Sequence, residues 1–397
     1  MLAGEMISII VPLYKGEKYL KRIINQVSVA RETIKAWNCN VELVLVNDYP
    51  ENKIDDRDEM FAALDFTVIV INNSVNQGIH GARVIGINNC HGKYLVMLDQ
   101  DDYIFPDYLK SQISSIGDCE AVVCRLIHED REFYNAEYPF DEAMNINYML
   151  NKGCPIVSPG QVMIKKSAIP IMWINNKMIN NGADDFLLWL TYLNEGRCFA
   201  LNQQIVFKHT VEYDNNSWKS IDMLKSEKEL IEVLKNASDF APEYKTSLEN
   251  LEKHMFTKRI NQLDKFKKMF FIYDGIMKAA NEGVTVASFL RNNNYKKVAV
   301  FGYGYIGKFL RKELEKDEDI SLEYVIDRNA DYIKDGIPVY KIEEELPEVD
   351  CIIISLVQNE ETVHNILENK MDAHVTDVKK LLVNMLERDK DAAFKVN

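Results

Sequence analysis

The most informative segment of the chain, residues 76–109, reads NQGIHGARVIGINNCHGKYLVMLDQDDYIFPDYL. A helical pattern from about His80 to Asn89 leads into YLVMLD (94–99), an apolar run of strand length. Two further carboxylates, Asp101 and Asp102, directly follow the one that ends this run. The segment therefore predicts a helix, a buried strand and an acidic turn in direct succession.

Apolar, β-branched runs of strand length also occur upstream, at residues 7–14, 41–48 and 67–73. An amphipathic helical pattern separates the first two, and a second one, at about 56–64, precedes the third. Such alternation predicts a mostly parallel central sheet covered by helices, with ligands at the carboxyl ends of the strands. The polar residues lie at those ends, which suggests a binding site there.

Length and composition limit the possible classes of protein. The 397 residues suit two or three domains. A net charge of -14, from 47 basic and 61 acidic side chains, argues against a nucleic-acid-binding protein. The seven cysteines are scattered and never spaced as CxxC, which favours reduced thiols in the cytoplasm. No basic leader precedes the first strand, and no apolar run approaches the ~18 residues of a spanning helix, so we expect a cytoplasmic protein.

The pattern changes twice along the chain. Residues 218–290 are almost purely helical in pattern, and a new strand–turn–helix pattern starts at Lys296. We therefore predict a first domain at 1–217, a helical linker or oligomerisation segment at 218–294, and a small Rossmann-like α/β domain at 295–390.

The acidic turn Asp99–Asp102 has two readings from the residues alone. Three neighbouring carboxylates repel one another unless a cation or solvent relieves them. Mg²⁺ and Mn²⁺ prefer carboxylate oxygen and often share their coordination with substrate phosphates. A solvated turn that caps the next helix is the alternative.

The motif order supports the first reading. IIVPLY (9–14), VNDY (46–49) and the segment 76–109 together resemble the nucleotide-sugar domain of family 2 glycosyltransferases, which has the GT-A fold. The resemblance extends over about residues 6–215. It implies a DxD motif at Asp99-Gln100-Asp101, with Asp101 as the metal ligand and Asp102 supporting it. The residues that it implies for donor binding are Pro12, Tyr14, Asp48, Asn76, Gly78, Arg83 and Asp99.

A second acidic pair, Asp184–Asp185, opens an amphipathic helical pattern. Carboxylates are favoured at helix N-termini, so capping alone explains them. Transfer of a sugar to a hydroxyl, however, needs a base that accepts the acceptor proton. The resemblance assigns that role to Asp185, with Asp184 in place of the family's usual glutamate.

His209 follows a predicted strand and is either structural or a metal ligand, since neutral imidazole binds metals readily. The resemblance puts a histidine or a polar loop here, beside the donor diphosphate. The predicted metal ligands are therefore Asp101, Asp99 and His209, and the implied cofactor is Mn²⁺ or Mg²⁺.

A glycine motif near the C-terminus has the context of a dinucleotide fingerprint. A strand pattern leads into Gly302-x-Gly304-x-x-Gly307 and a helix, and the next strand pattern ends at Asp327. The region has only about four strand patterns, fewer than a two-half dinucleotide fold. A nucleotide loop and a tight turn without a ligand both remain open.

A basic, partly apolar helix is predicted around residues 253–270. Such helices bind anionic lipid or pack between domains or subunits with their lysines extended to solvent. Peripheral contact with the inner face of a membrane and homo-oligomerisation are both expectations from this segment.

The sequence as a whole predicts a metal-dependent, inverting glycosyltransferase. It would move a sugar from a nucleotide-diphosphate donor to a hydroxyl on a sugar, glycan or lipid-linked acceptor, in bacterial surface polysaccharide or glycolipid synthesis. An NAD-dependent sugar oxidoreductase and a non-catalytic nucleotide-sugar-binding subunit are the alternatives.

Overall fold

A computed structural model of the chain describes residues 4–128, 131–133, 140–210 and 220–393. The chain divides into two compact units, Met1–Arg259 and Ile260–Asn397. The predicted boundary at residue 217 lies outside the described residues, and the three-part domain division stays a prediction.

Within the described residues, nine strands form the sheet of the first unit, in the order β3-β2-β1-β4-β8-β6-β9-β5, with β7 beside β6. Strands β3, β2, β1 and β4 run parallel, and β8 pairs antiparallel with β4. The strands are β1 (Met6–Leu13), β2 (Asn40–Asn47), β3 (Thr67–Asn72), β4 (Tyr94–Met97), β5 (Tyr103–Ile104), β6 (Ala121–His128), β7 (Arg131–Phe133), β8 (Val162–Lys165) and β9 (Phe199–His209).

Strands β1, β2 and β4 are buried on both faces, which explains their continuous apolar sequences, whereas β3 at the end of the sheet is only half-buried. Side chains alternate between the two faces of a strand. In β2, Leu43 and Leu45 accordingly join one core, and Val44 and Val46 join the other. The predicted α/β architecture with parallel strands in the central sheet is confirmed.

Helices cover both faces of this sheet. The helix after β1 packs its apolar side into one core, and the helix after β3 packs into the other. The helices are α1 (Leu20–Glu32), α2 (Glu59–Ala62), α3 (Gly78–Asn89), α4 (Tyr108–Ser115), α5 (Phe140–Ala143), α6 (Ile146–Lys152), α7 (Ile171–Asn175), α8 (Asp184–Asn194), α9 (Ser220–Asn236), α10 (Pro242–Lys245) and α11 (Leu248–Asn281).

Helix α3 approaches the sheet closely at Gly86. A Cβ atom at this position would lie 2.3 Å from Cγ2 of Ile10 in β1. The glycine therefore sets how near α3, and the side chains it carries, lie to the strand ends.

The second unit has a parallel sheet of five strands in the order β12-β11-β10-β13-β14, again within the described residues. This is one strand more than the sequence pattern indicated, because β12 has only two residues. The remaining elements are α12 (Val286–Asn292), β10 (Lys297–Phe301), α13 (Tyr305–Leu314), β11 (Ser321–Ile326), β12 (Val339–Tyr340), β13 (Cys351–Ile354), α14 (Glu360–Lys370), β14 (His374–Asp377) and α15 (Val378–Ala393). The predicted small α/β unit is confirmed as a parallel sheet with helices.

One expectation about the cysteines is wrong. Cys119, after α4, and Cys198, before β9, form a disulfide with a Cα–Cα distance of 5.6 Å. They are 79 residues apart, so spacing along the chain gave no sign of the pair. Five other cysteines are free thiols.

None of the helices in the described part of the chain is long and apolar enough to span a bilayer.

Candidate active site

The candidate site lies where β1, β2 and β4 end. Strand β1 pairs in parallel with both neighbours, so all three carboxyl ends meet at one edge of the sheet. Tyr14, Asp48 and Asp99 follow these strands directly, and Pro12 is buried at the end of β1. The structure thus brings together the residues that the sequence assigned from three separate strands.

Asp48 holds the loop that leads into α3. Its Oδ1 accepts hydrogen bonds from Nδ2 of Asn73 and from the backbone N–H of Gln77, both at 2.8 Å. Oδ1 of Asn76 accepts the N–H of Gly78 at 2.8 Å. Gly78 starts the helix at φ +73°, a conformation that favours glycine. These bonds fix the start of α3 beside the strand ends.

Gln100, which sequence reasoning did not assign, ties the acidic turn to the end of β1. Its side-chain oxygen accepts the backbone N–H of Tyr14 at 3.0 Å, and its amide donates to the carbonyl of Tyr14 at 3.3 Å. The Tyr14 ring is half exposed and meets Tyr49 edge-on, with 5.4 Å between centroids. In the sequence, only the amide side chain at the middle position of the predicted DxD motif could have indicated that Gln100 binds backbone.

Arg83 connects the two acidic motifs. One guanidinium nitrogen donates to Oδ1 of Asp99 at 2.5 Å, and the other donates to Oδ2 of Asp184 at 2.6 Å. Arg83 is 3% exposed and Asp184 is 2% exposed. Burial alone would lower the pKa of Arg83, but Asp184 and Asp99 outweigh it and raise the pKa above its ordinary value. The acidic turn and the start of α8 are therefore joined through one buried arginine.

Asp102 is fully buried and bound by three donors. Its Oδ2 accepts the hydroxyl of Ser158 at 2.7 Å, and Oδ1 lies 2.8 Å from Nδ1 of His209 and 3.1 Å from the N–H of Thr210. Burial lowers the pKa of His209, but the bond to Asp102 and the neighbouring acids raise it above the ordinary value overall. Asp102 thus anchors β9 to the acidic turn.

Asp101 lies at the tip of the turn, with its backbone held in place. Arg22 donates to the carbonyl oxygens of Gln100, at 2.5 Å, and of Asp101, at 3.1 Å. Thr210 also donates to the Asp101 carbonyl. Burial, with the carboxylates of Asp99 and Asp102, raises the pKa of the Asp101 side chain to about 6. Burial is the larger cause, and a cation bound here would offset the repulsion from Asp99 and Asp102 that adds to it.

The predicted metal ligands have unequal access to an ion. One oxygen of Asp99 binds Arg83, and the Nδ1 of His209 faces Asp102. No group of three His, Cys, Asp or Glu side chains within the described ranges is arranged to hold a metal by itself. Mg²⁺ and Mn²⁺ usually bind one or two carboxylates together with substrate phosphates, and Asp101 suits that arrangement. The three-ligand set stays a prediction.

Asp185 lies beside Asp184 but outside its ion pair. Its Oδ1 accepts the N–H of the next residue, Phe186, at 2.7 Å. Burial and the nearby acids Asp184 and Asp99 raise its pKa to about 7, although Arg83 opposes the shift. A carboxylate with this pKa exchanges a proton readily near neutral pH.

The glycine motif of the second unit forms a tight strand-to-helix turn. Gly302 has φ +90°, and a Cβ on Gly307 would lie 2.0 Å from the Gly302 carbonyl oxygen. Gly304 caps the start of α13. Asp327 accepts the N–H of Tyr303 at 2.7 Å and the N–H of Asn329 at 2.9 Å. Both carboxylate oxygens therefore already bind backbone.

The matched family agrees with this geometry. A sequence model of the family described as "Glycosyl transferase family 2" matches residues 8–170. Residues 8–170 are thus similar to a family 2 glycosyltransferase domain. The matched residues of this domain include Asp48, Arg83 and the acidic turn, whereas Asp184, Asp185 and His209 lie beyond them.

Individual relatives of the family 2 domain cover only part of the chain. Glycosyltransferase GlyA of Streptococcus pneumoniae is 32% identical over 121 residues, 30% of this chain and 16% of GlyA. The putative glycosyltransferase EpsH of Bacillus subtilis is 30% identical over 124 residues, 31% of this chain and 34% of EpsH. The chain thus covers well under half the length of these two relatives.

Among solved structures, the mannosyltransferase PcManGT from Pyrobaculum calidifontis, in complex with GDP-Man and Mn²⁺, is 14% identical, with a TM-score of 0.45. The alignment covers 62% of this chain and 68% of that protein.

Proposed function

We propose that this protein transfers a sugar from a nucleotide-diphosphate donor to a hydroxyl acceptor with inversion at the anomeric carbon. The observation that carries the proposal is Arg83, which bonds to Asp99 of the acidic turn and to Asp184 beside Asp185. One buried cation thereby joins the predicted donor side of the site to Asp184, the residue next to the predicted base. The family 2 domain supports the same reaction class.

The proposed chemistry is a single displacement. The acceptor hydroxyl gives its proton to Asp185 while its oxygen bonds to the anomeric carbon. The bond from that carbon to the diphosphate oxygen breaks, and the diphosphate leaves with the electron pair. A base with a pKa near 7 suits this step, because it is substantially deprotonated at neutral pH and still a useful acceptor.

A divalent cation would supply positive charge beside the leaving diphosphate. We assign Asp101 to hold it, because its carboxylate is partly buried beside the acids Asp99 and Asp102. Asp99 and His209 would complete the set through atoms that do not face Arg83 and Asp102. Arg22 and Thr210 orient the turn by binding its carbonyl groups.

Replacement of Asp101 by asparagine is expected to abolish the increase in Tm that a nucleotide sugar gives in the presence of Mn²⁺. The substitution keeps the shape of the side chain and removes its charge. Ligands that bind the folded state raise Tm, so a thermal-shift titration measures the loss. Asp107→Asn, on an exposed acid at the start of α4, is the matched control. An unchanged Mn²⁺-dependent shift in Asp101→Asn would contradict the metal assignment.

The transferase proposal itself is tested with the full chain and a panel of UDP- and GDP-sugars. We expect at least one sugar to raise Tm more with Mn²⁺ than without it, and to be hydrolysed slowly when water replaces the acceptor. Binding without hydrolysis or transfer would favour the non-catalytic alternative. The absence of any binding would overturn the proposal.

The oxidoreductase alternative receives less support from the second unit. A dinucleotide site uses an acid at the end of the second strand to bind ribose hydroxyls. Asp327 instead binds backbone N–H groups of its own turn and of the glycine turn. The cytoplasmic location and contact with a membrane face stay predictions from the sequence.

For the oligomeric state we propose that α11 pairs with a second copy of the chain. Exposed apolar side chains recur on its second-unit part at spacings of three, seven and seven residues: Ile260, Leu263, Phe270 and Met277. Lys267 and Asp274 occupy the intervening positions, a coiled-coil pattern. If the second copy runs antiparallel with the two Phe270 side chains facing each other, Lys267 lies within about one helical turn of Asp274 on the partner. In a parallel pair, Lys267 would face Lys267 and Asp274 would face Asp274, so like charges would be opposed.

We expect the full chain to sediment as a dimer and Phe270→Lys to sediment as a monomer. Phe270 is 66% exposed, so the substitution costs the isolated chain little packing. Ile366→Lys, on an apolar side chain of α14 that is also exposed, is the control and should remain dimeric. A monomeric wild type that binds anionic vesicles would contradict the dimer and favour a lipid surface.

A further inference from the structure

The acidic pair follows a loop, residues 176–183, that is held by α9. Both carboxylate oxygens of Glu229 are used: Oε1 accepts the N–H of Ile179 at 2.7 Å, and Oε2 accepts the N–H of Asn180 at 2.8 Å. The side-chain amide of Asn180 donates to Oε2 as well, at 2.8 Å. One anionic side chain thus fixes two consecutive peptide groups, with bonds of the strong, charge-assisted type.

Ser226, one turn earlier on α9, holds the end of the same loop. It is fully buried, its hydroxyl donates to the carbonyl of Asn180 at 2.9 Å, and its oxygen accepts the N–H of Ala183 at 3.0 Å. Ala183 is the residue that caps α8, and its side chain provides no capping bond. Ser226 therefore fixes the residue that immediately precedes α8 from outside that helix.

Three further contacts link this region to Trp173 and to α3. The indole N–H of Trp173 donates to the carbonyl of Asp184 at 2.7 Å. The Trp173 ring stacks on His80 of α3, with 4.3 Å between centroids. Asn181 accepts the N–H of Ile79, near the first residue of α3, at 3.1 Å. The backbone before Asp185 is thus fixed between α9 and α3.

We propose that Glu229 and Ser226 are positioning residues that set Asp184 and Asp185 for removal of the acceptor proton. This inference rests on the proposed function. Neither residue contacts the acidic turn in the bonds described above; both act through the loop. A displacement of about 1 Å at a reacting group lowers a rate by up to about 10²-fold. Both residues lie outside the matched family 2 segment, which ends at residue 170.

The test compares Glu229→Gln with Glu232→Gln, a matched control on an exposed acid of the same helix. Glutamine keeps the length of the side chain but has only one acceptor oxygen. Its NH₂ group must therefore face a donor of Ile179 or Asn180, and at least one of the bonds to the loop is lost. We expect kcat for hydrolysis of the UDP- or GDP-sugar that gives the largest thermal shift to fall about 10- to 100-fold. The KM and the donor-induced increase in Tm should match those of the control. Ser226→Ala provides an independent variant with the same expected split.

The results of these variants distinguish a failure of the positioning role from a failure of the proposed function. A lowered kcat with unchanged KM and donor-induced Tm shift supports the positioning role. Equal kcat in Glu229→Gln and Glu232→Gln, or a joint loss of kcat and donor binding in both Glu229→Gln and Ser226→Ala, overturns it. If the wild type shows neither hydrolysis nor transfer, it is the proposed function that fails.

Discussion

Replacement of Arg83 by methionine is expected to lower the free energy of unfolding of the first unit by about 3–5 kcal/mol, the usual cost of removing one partner from a buried ion pair. Asp184, at 2% exposure, would keep a buried charge without its cation. Asp99 would lose its partner at the same time and remain beside Asp101 and Asp102. Donor binding should disappear as well, because both sides of the pocket lose their common support.

Urea unfolding followed by tryptophan fluorescence measures this effect. All four tryptophans of the chain precede residue 260, so the signal reports on the first unit. Arg83→Lys should have an intermediate effect, since an ammonium group keeps the charge but loses the fork that reaches two carboxylates. Arg57→Met, on an exposed arginine, serves as the control. Exposed ion pairs contribute up to about 1 kcal/mol. A loss of unfolding free energy below that value in Arg83→Met would therefore contradict the buried double ion pair.

The strands of the central sheet could be predicted because their sequences are limited by burial on both faces. Residues 41–48 and 94–99 are runs with few polar residues, so their apolar sequence and their length identified them as strands. The observed strands Asn40–Asn47 and Tyr94–Met97 end within two residues of these runs. The carboxyl-end rule for parallel sheets then placed Asp48 and Asp99 at one edge without any knowledge of contacts.

The partners of the site residues could not be predicted in the same way. Arg83 and Asp184 are 101 residues apart, and Asp102 and His209 are 107 apart. No local pattern records such pairings, because they depend on how α8 and β9 return to the sheet. Sequence reasoning therefore placed Asp48 and Asp99 at one edge of the sheet but did not foresee that Asp102 anchors β9, nor that Gln100 binds Tyr14.

The support from α9 was missed for a related reason. Glu229 and Ser226 lie in an ordinary amphipathic helix, where an acid and a serine have no distinguishing neighbours. Their role follows only from the loop that packs against them.

Asp185→Asn is expected to lower the turnover rate by about 10²-fold or more, the contribution of a general base. Donor binding should persist, because the one side-chain bond described for Asp185 is to the N–H of Phe186, within its own helix. In the wild type, turnover should rise as the pH increases through about 7, since only the deprotonated carboxylate accepts a proton. The variant should lack this rise. A variant with near-wild-type turnover would reduce Asp185 to a helix cap.

Stability gives a second, independent reading of the same substitution. Burial and Asp184 raise the pKa of Asp185 above its ordinary value, so the folded state disfavours the charged form. An acid with a raised pKa costs stability progressively as the pH rises from about 4 to about 7, and the full cost remains above that range. Asp185→Asn removes this cost, so its Tm should exceed that of the wild type at pH 8 and approach it at pH 5. A cap whose charge stabilised the helix would give the opposite order at pH 8. A higher Tm together with lost turnover therefore distinguishes a base held ready for its proton from a residue that only caps α8.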